Sequence, residues 1–228
     1  MSRQSTDFKP VNKQFTKYVV PSVIGMLVQG LYIILDGVIV GQGIGAVALG
    51  AVNVVFPFSM LVIALAMLIA VGGANVYSFH KGKGEGEKAN NIFSQCLWLS
   101  VIIGAILALV GFFFRESLSV FMGANEELLP YAVAYLKWSA PFSLMQLVVF
   151  GFSVFVRNDD NPKIVMLGSV FGAVVNTILD IVFILILHYG IEAAAITNGI
   201  GMAIELMFYS SHFVRKKGAL CIRKPVLH

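Results

Sequence analysis

Six apolar stretches, each long enough to cross a lipid bilayer as helix, constrain this chain more than any other feature. A bilayer core about 30 Å thick needs roughly 20 apolar residues in α-helix. Such runs extend over residues 18–40, 46–79, 92–114, 131–156, 164–187 and 191–213, bounded by charges or by Gly, Pro and Asn. The second exceeds one crossing, so its end at Val76 to Phe79 is expected to project or tilt. With 58% hydrophobic and 12% charged residues, against about 25% charged in soluble chains, the expected fold is an all-α integral membrane bundle of six transmembrane helices. Residues 1–214 form that bundle, and residues 215–228 a basic tail.

The net charge of +4 would bring nucleic acid to mind, so the placement of the basic residues matters. Fourteen of the 16 fall on one side: Arg3, Lys9, Lys13, Lys17, Lys81, Lys83, Lys88, Arg157, Lys163, Arg215, Lys216, Lys217, Arg223 and Lys224. Only Arg115 and Lys137 fall on the other. By the positive-inside rule both termini are cytoplasmic, and topology alone accounts for the charge, so no nucleic-acid partner is expected. The polar start MSRQSTDFKPVNKQFTK, followed by a run too long for a signal peptide and lacking a cleavage site, reads as a retained N-terminus. Cys96 and Cys221 have no paired spacing and no histidine cluster beside them, which gives neither a disulfide framework nor a zinc site.

Two glycine-rich strings, Gly41 to Gly50 and Lys81 to Lys88, lack the strand and the G-K-[ST] ending of a phosphate loop. They read as tight turns between helices. His80, His188, His212 and His228 lie scattered near span ends, which offers no metal set or nucleophile and base, so an enzyme is not expected.

Inside the spans the informative residues are the polar ones, because an aspartate at mid-membrane costs about 2.5–3.5 kcal/mol on insertion scales. Asp36 lies 18 residues beyond Tyr18 and Asp180 lies 16 beyond Ile164, roughly 27 and 24 Å along outward-running helices. The two carboxylates therefore share a depth in the outer half, and both sit in an I-L-D-x-V string. Asn176 is one turn below Asp180, and Gln29 and Tyr32 are seven and four residues before Asp36, which places a polar stripe on each helix. Asn53 and Asn198 enter at a comparable depth on inward-running helices.

Such a constellation of two carboxylates, carboxamides and a tyrosine could hold sodium through oxygen ligands or take up a proton, since burial and a neighbouring carboxylate both favour a neutral carboxyl. The alternative is that each Asp only fixes helix packing. Pro21 is either a hinge of the first span or a first-turn proline. Glu205 reads as a snorkelling or interface carboxylate, and the aromatics, such as Phe112 to Phe114, as packing or lipid-facing surface.

The order of these residues resembles the multidrug and toxic compound extrusion (MATE) family, within it the bacterial DinF-like branch, over nearly the whole chain. The resemblance rests on Pro21, Asp36, Gly37 and Gly41, then on Val54-Val55-Phe56-Pro57. It continues through Val156-Arg157-Asn158, Asn161-Pro162-Lys163, Asn176 to Asp180, and Gly190 to Ala195. It implies the N-lobe of a drug/cation antiporter in the bacterial inner membrane, with membrane lipid and small-molecule drugs as partners and no cofactor beyond a coupling proton or sodium ion. It also implies a cation-coupling site of Asp36, Asn176, Asp180 and Asn198, with Gln29, Tyr32 and Asn53 along the substrate cavity and Pro21 as the hinge.

Two departures stand out. Asn198, with Thr197 adjacent, occupies the place of the family's usual threonine, and Asp160 stands where a glycine is usual. The family has two six-helix lobes, so this chain implies either a missing C-terminal lobe, with residues 215–228 resembling the start of the linker, or a second copy of itself. The competing readings are a flippase for lipid-linked oligosaccharides, and a truncated lobe that does not transport by itself.

Overall fold

The structure, a computed structural model, describes residues 9–214 and Leu220. Arg3, Arg215, Lys216, Lys217, Cys221, Arg223, Lys224 and the tail as an element lie outside the described residues, as do the side chains of Lys9, Lys13 and Lys17. Among the described residues there is helix and no strand. In chain order the helices are α1 (Lys9–Gly43), α2 (Ala46–Gly82), α3 (Gly86–Phe113), α4 (Arg115–Phe121), α5 (Leu129–Ser139), α6 (Phe142–Asn158), α7 (Pro162–Asp180) and α8 (Ile191–Val214). A π-helical segment, Ile181–Ile186, continues α7.

Both glycine strings are interhelical turns, as their composition implies. Gly45 takes φ 114° and lets its N–H reach Val40 O at 3.3 Å, which ends α1. Gly84, at φ 76°, does the same for α2, with Glu85 N bonding His80 O at 3.0 Å. These left-handed angles are the ones glycine adopts without steric cost.

Three expectations about the spans change. The expected fourth span is broken: α5 and α6 meet at a 53° bend, where Pro141 can donate no backbone bond to the preceding turn. Among the described residues five helices are thus long and apolar enough to cross a bilayer alone, with six spans when the bent pair counts as one. The fifth span loses α-geometry immediately after Asp180, with Leu187 N bonding Val182 O at 2.9 Å, five residues back. Between the third and fourth spans a short helix, α4, lies where no element is expected. The overlong second run is a single helix of 37 residues, roughly 55 Å, so it does extend past a bilayer core.

Packing divides the bundle into two apolar clusters. One, toward the α1–α2 turn, is rich in small and β-branched residues such as Ile39, Ala51, Val55, Ile184 and Ala194. The other, toward the α2–α3 turn, is aromatic, with Phe93 and Phe155 rings 5.1 Å apart edge to face. The helices approach closely where a side chain is missing: a Cβ on Gly104 would sit 2.6 Å from Leu144 Cα, the small-residue contact common between membrane helices. Phe113 and Phe114 are exposed on the bundle surface, in keeping with an apolar outward face.

At the α2–α3 end the polar groups converge. Asp159, 4% exposed, accepts from Tyr77 Oη at 3.1 Å, from Lys81 Nζ at 2.8 Å and pairs with His212 Nε2 at 3.0 Å. Asn161 Nδ2 lies 3.1 Å from His212 Nδ1. Asp160, at φ 65°, is in the left-handed region, which explains why a glycine suits this turn. Its carboxylate accepts from Tyr18 Oη and lies 3.5 Å from Lys81 Nζ, which offsets the backbone strain. The basic turns α2–α3 and α6–α7 therefore share one face, as the charge pattern requires.

Candidate functional site

Asp36 sits on α1, and Asp180 is the last α-helical residue before the π segment. The sequence places them only at equal depth. The fold brings their carboxyls together at hydrogen-bonding range, because α1 packs along α7 and its end abuts the π segment. A Cβ on Gly43 would lie 2.5 Å from Ile184 Cγ2, so this approach requires a glycine. The wider π turn follows Asp180 directly, a departure from α-geometry often found at functional sites.

Asp180 is 0% exposed and Asn176 2%. Thr197, fully buried on α8, donates its hydroxyl to Asp180 Oδ1 and also lies 3.0 Å from the carbonyl oxygens of Ala193 and Ala194. Of the two residues at the head of α8, Thr197 is thus the partner of Asp180, and Asn198 instead accepts from Tyr32 Oη. Asp36 Oδ1, Asp180 Oδ2 and both amide atoms of Asn176 are buried without a protein partner. Buried polar atoms are rarely left so. Two carboxylates held this close repel, and a cation between them would join them. The orphaned oxygens of Asp36, Asn176 and Asp180 are the hard donors that sodium takes, and the pair equally fits one shared proton. Among the described residues no three His, Cys, Asp or Glu side chains group as a metal site.

Below the pair a cavity of about 70 Å³ opens between α1, α7 and α8, lined by Gln29, Tyr32, Ser169, Asn176, Asn198 and Glu205 among others. Gln29 and Tyr32 thus lie together as their spacing implies, and Asn198, expected at the cation-coupling site, joins them here. Glu205 is a correction: it does not point to an interface but lines this cavity and accepts from Tyr209 Oη at 3.0 Å. Asn53 is not brought here. It is exposed on α2, and its amide donates to Leu49 O of its own helix at 2.9 Å. Depth along a helix does not fix rotation about it, and at 100° per residue the wrong phase turns a side chain away. Pro21 lies buried inside α1, twelve residues after its first described residue Lys9, so the first-turn reading fails and an interior proline remains.

The sequence reading missed Tyr135 on α5, which lies within electrostatic reach of both Asp36 and Asp180. It belongs to a span recognised only by its apolarity, and nothing local marks it.

Helices long and apolar enough to cross a membrane, with an acidic pair where two of them meet, define an integral membrane helical bundle. The MatE family model matches residues 21–182, more than half of the sequence, and the chain is a member of that family. It is 28% identical over 209 residues to the multidrug export protein MepA of Staphylococcus saprophyticus, covering 90% of this chain and 46% of the relative. Among solved structures it superposes on a MATE transporter in complex with MaD3S with a TM-score of 0.85 at 28% identity, covering 93% of this chain and 48% of the other. It also matches a MOP-superfamily transporter from Pyrococcus furiosus, described as having a binding pocket of reversed polarity that suggests a different function. There the TM-score is 0.83 and the identity 29%, over 91% of this chain and 46% of the other. The bundle corresponds to the N-lobe of such structures, and the chain spans about half the length of the curated relatives it matches.

Proposed function

We propose that this chain acts as the N-terminal lobe of a multidrug exporter that moves cationic or amphipathic small molecules outward in exchange for protons or sodium ions. The observation that carries this reading is the contact between Asp36 and Asp180, with three partnerless oxygens around it. A cation arriving there joins α1 to α7 and α8, and its departure leaves two carboxylates that repel. Ion occupancy thereby biases the lobe between arrangements of different drug affinity, which is all a coupled exchange requires. MepA, a multidrug export protein, supports the cargo class. The charged residue lining the cavity below the pair is Glu205, a polarity that disfavours the anionic cargo of a lipid-oligosaccharide flippase.

Pro21, buried within α1, is the position where that helix would bend. The lobe would work with a second six-helix lobe, supplied either by a C-terminal half or by another copy. In the proposed orientation the face with Lys81, Asp159 and His212 is cytoplasmic. Drug efflux from cells carrying the protein with Asp36→Asn or Asp180→Asn tests the site: each is expected to abolish cation-driven efflux. Efflux unchanged in both would remove it.

A further inference from the structure

We propose that Glu205 is a second carboxylate station for the coupling cation, on the route between the Asp36–Asp180 pair and the face formed by the α6–α7 turn and the end of α8. It rests on the reading of that pair as the cation site.

A carboxylate in a membrane helix carries an insertion cost that any apolar residue would avoid. Glu205 does not recover it by pairing with a basic group: its hydrogen-bond partner is Tyr209 Oη, at 3.0 Å on Oε2. The other facing titratable groups are Tyr32 of α1, within electrostatic reach, and Arg157 of α6, which reaches Tyr209. The helix opposite makes room for it. A Cβ on Gly172 would fall 2.7 Å from Glu205 Cγ and 2.9 Å from Gly201 O, so only a glycine leaves this notch.

A second, independent observation points to a ligand in the same space. Asn176, 2% exposed, lines the cavity with neither amide atom partnered, one turn from Asp180. It can serve the pair above and the cavity below. Asn198 and Glu205 stand seven residues apart on α8, on one face. The polar groups thus step from Thr197 to Glu205, about 12 Å along the helix.

The cavity, at about 70 Å³, is too small for a drug, whose sites run about 300–1,000 Å³, yet holds several waters. Its ligand is a monovalent cation, a proton or a hydrated sodium ion.

The test uses the full chain in lipid nanodiscs, with time-resolved infrared reading the carboxyl bands after rapid mixing. One arm is a pH jump without sodium; the other mixes in sodium chloride against choline chloride at fixed pH. Glu205→Gln keeps an acceptor for Tyr209, and it is expected to slow the response of the Asp36–Asp180 bands about tenfold or more, a barrier change near 1.4 kcal/mol. The midpoint should stay within about twofold, and Glu205→Asp should restore the rate. The arm that slows identifies the ion. An unchanged rate in Glu205→Gln, or slowing that comes only with a shifted midpoint, overturns the station. If Asp36→Asn and Asp180→Asn leave the bands unaltered, the pair itself falls, whatever Glu205 does.

Discussion

The two polar regions of this bundle differ in how completely they are satisfied. At the α2–α3 end Asp159 is surrounded by Tyr77, Lys81 and His212, and both carboxylate oxygens are engaged. Toward the α1–α2 end Asp36 and Asp180 each keep a buried oxygen without a protein partner, and Asn176 keeps both amide atoms free of one. The first arrangement is a structural clamp, because removing one member leaves buried charge behind. The second is costly to keep and gains its partner only from an ion. Completeness of pairing therefore separates what holds the lobe together from what makes it respond.

That contrast is sharpest in stability. Asp159→Ala should produce the largest loss, about 2–4 kcal/mol, because the buried Tyr77 and His212 both lose their partner, read by thermal unfolding in detergent. Gly172→Ala comes next, at about 1–3 kcal/mol from overpacking against Gly201 and Glu205, with weaker cation binding as well. Asp180→Asn should change stability by less than about 1 kcal/mol, since the amide can donate to Asp36, while removing the cation response. Equal losses for Asp159→Ala and Asp180→Asn would erase the distinction.

The smallest effect belongs to half-exposed Glu85, whose carboxyl is held below its ordinary range by His80, 2.6 Å away, and by Lys88 at 3.0 Å. A lowered carboxylate contributes stability above its unfolded value and loses it as pH falls through the folded one. Glu85→Gln should therefore lower stability slightly at neutral pH, with the difference from the parent chain vanishing as pH falls through the carboxylate range.

What the sequence reveals follows from which physics is local. Apolar run lengths reveal the spans and the basic turns reveal their common face, because a bilayer imposes both without tertiary detail. The break at Pro141 is legible in hindsight as a proline inside an apolar run, whereas the π segment after Asp180 has no such marker. At the site, depth arithmetic pairs Asp36 with Asp180, since rise per residue is fixed. Rotation is not fixed by rise. Asn53 has the right depth and faces away, and Glu205 turns inward because Gly172 on another helix makes room.

The central claim is that Asp36 and Asp180 form one cation site rather than two independent acids. Infrared titration of the carboxyl bands in the purified chain, comparing Asp36→Asn, Asp180→Asn and the double variant, tests it directly. A shared site predicts that either single substitution abolishes the same transition and that the second adds nothing. Two transitions lost separately and additively would contradict it.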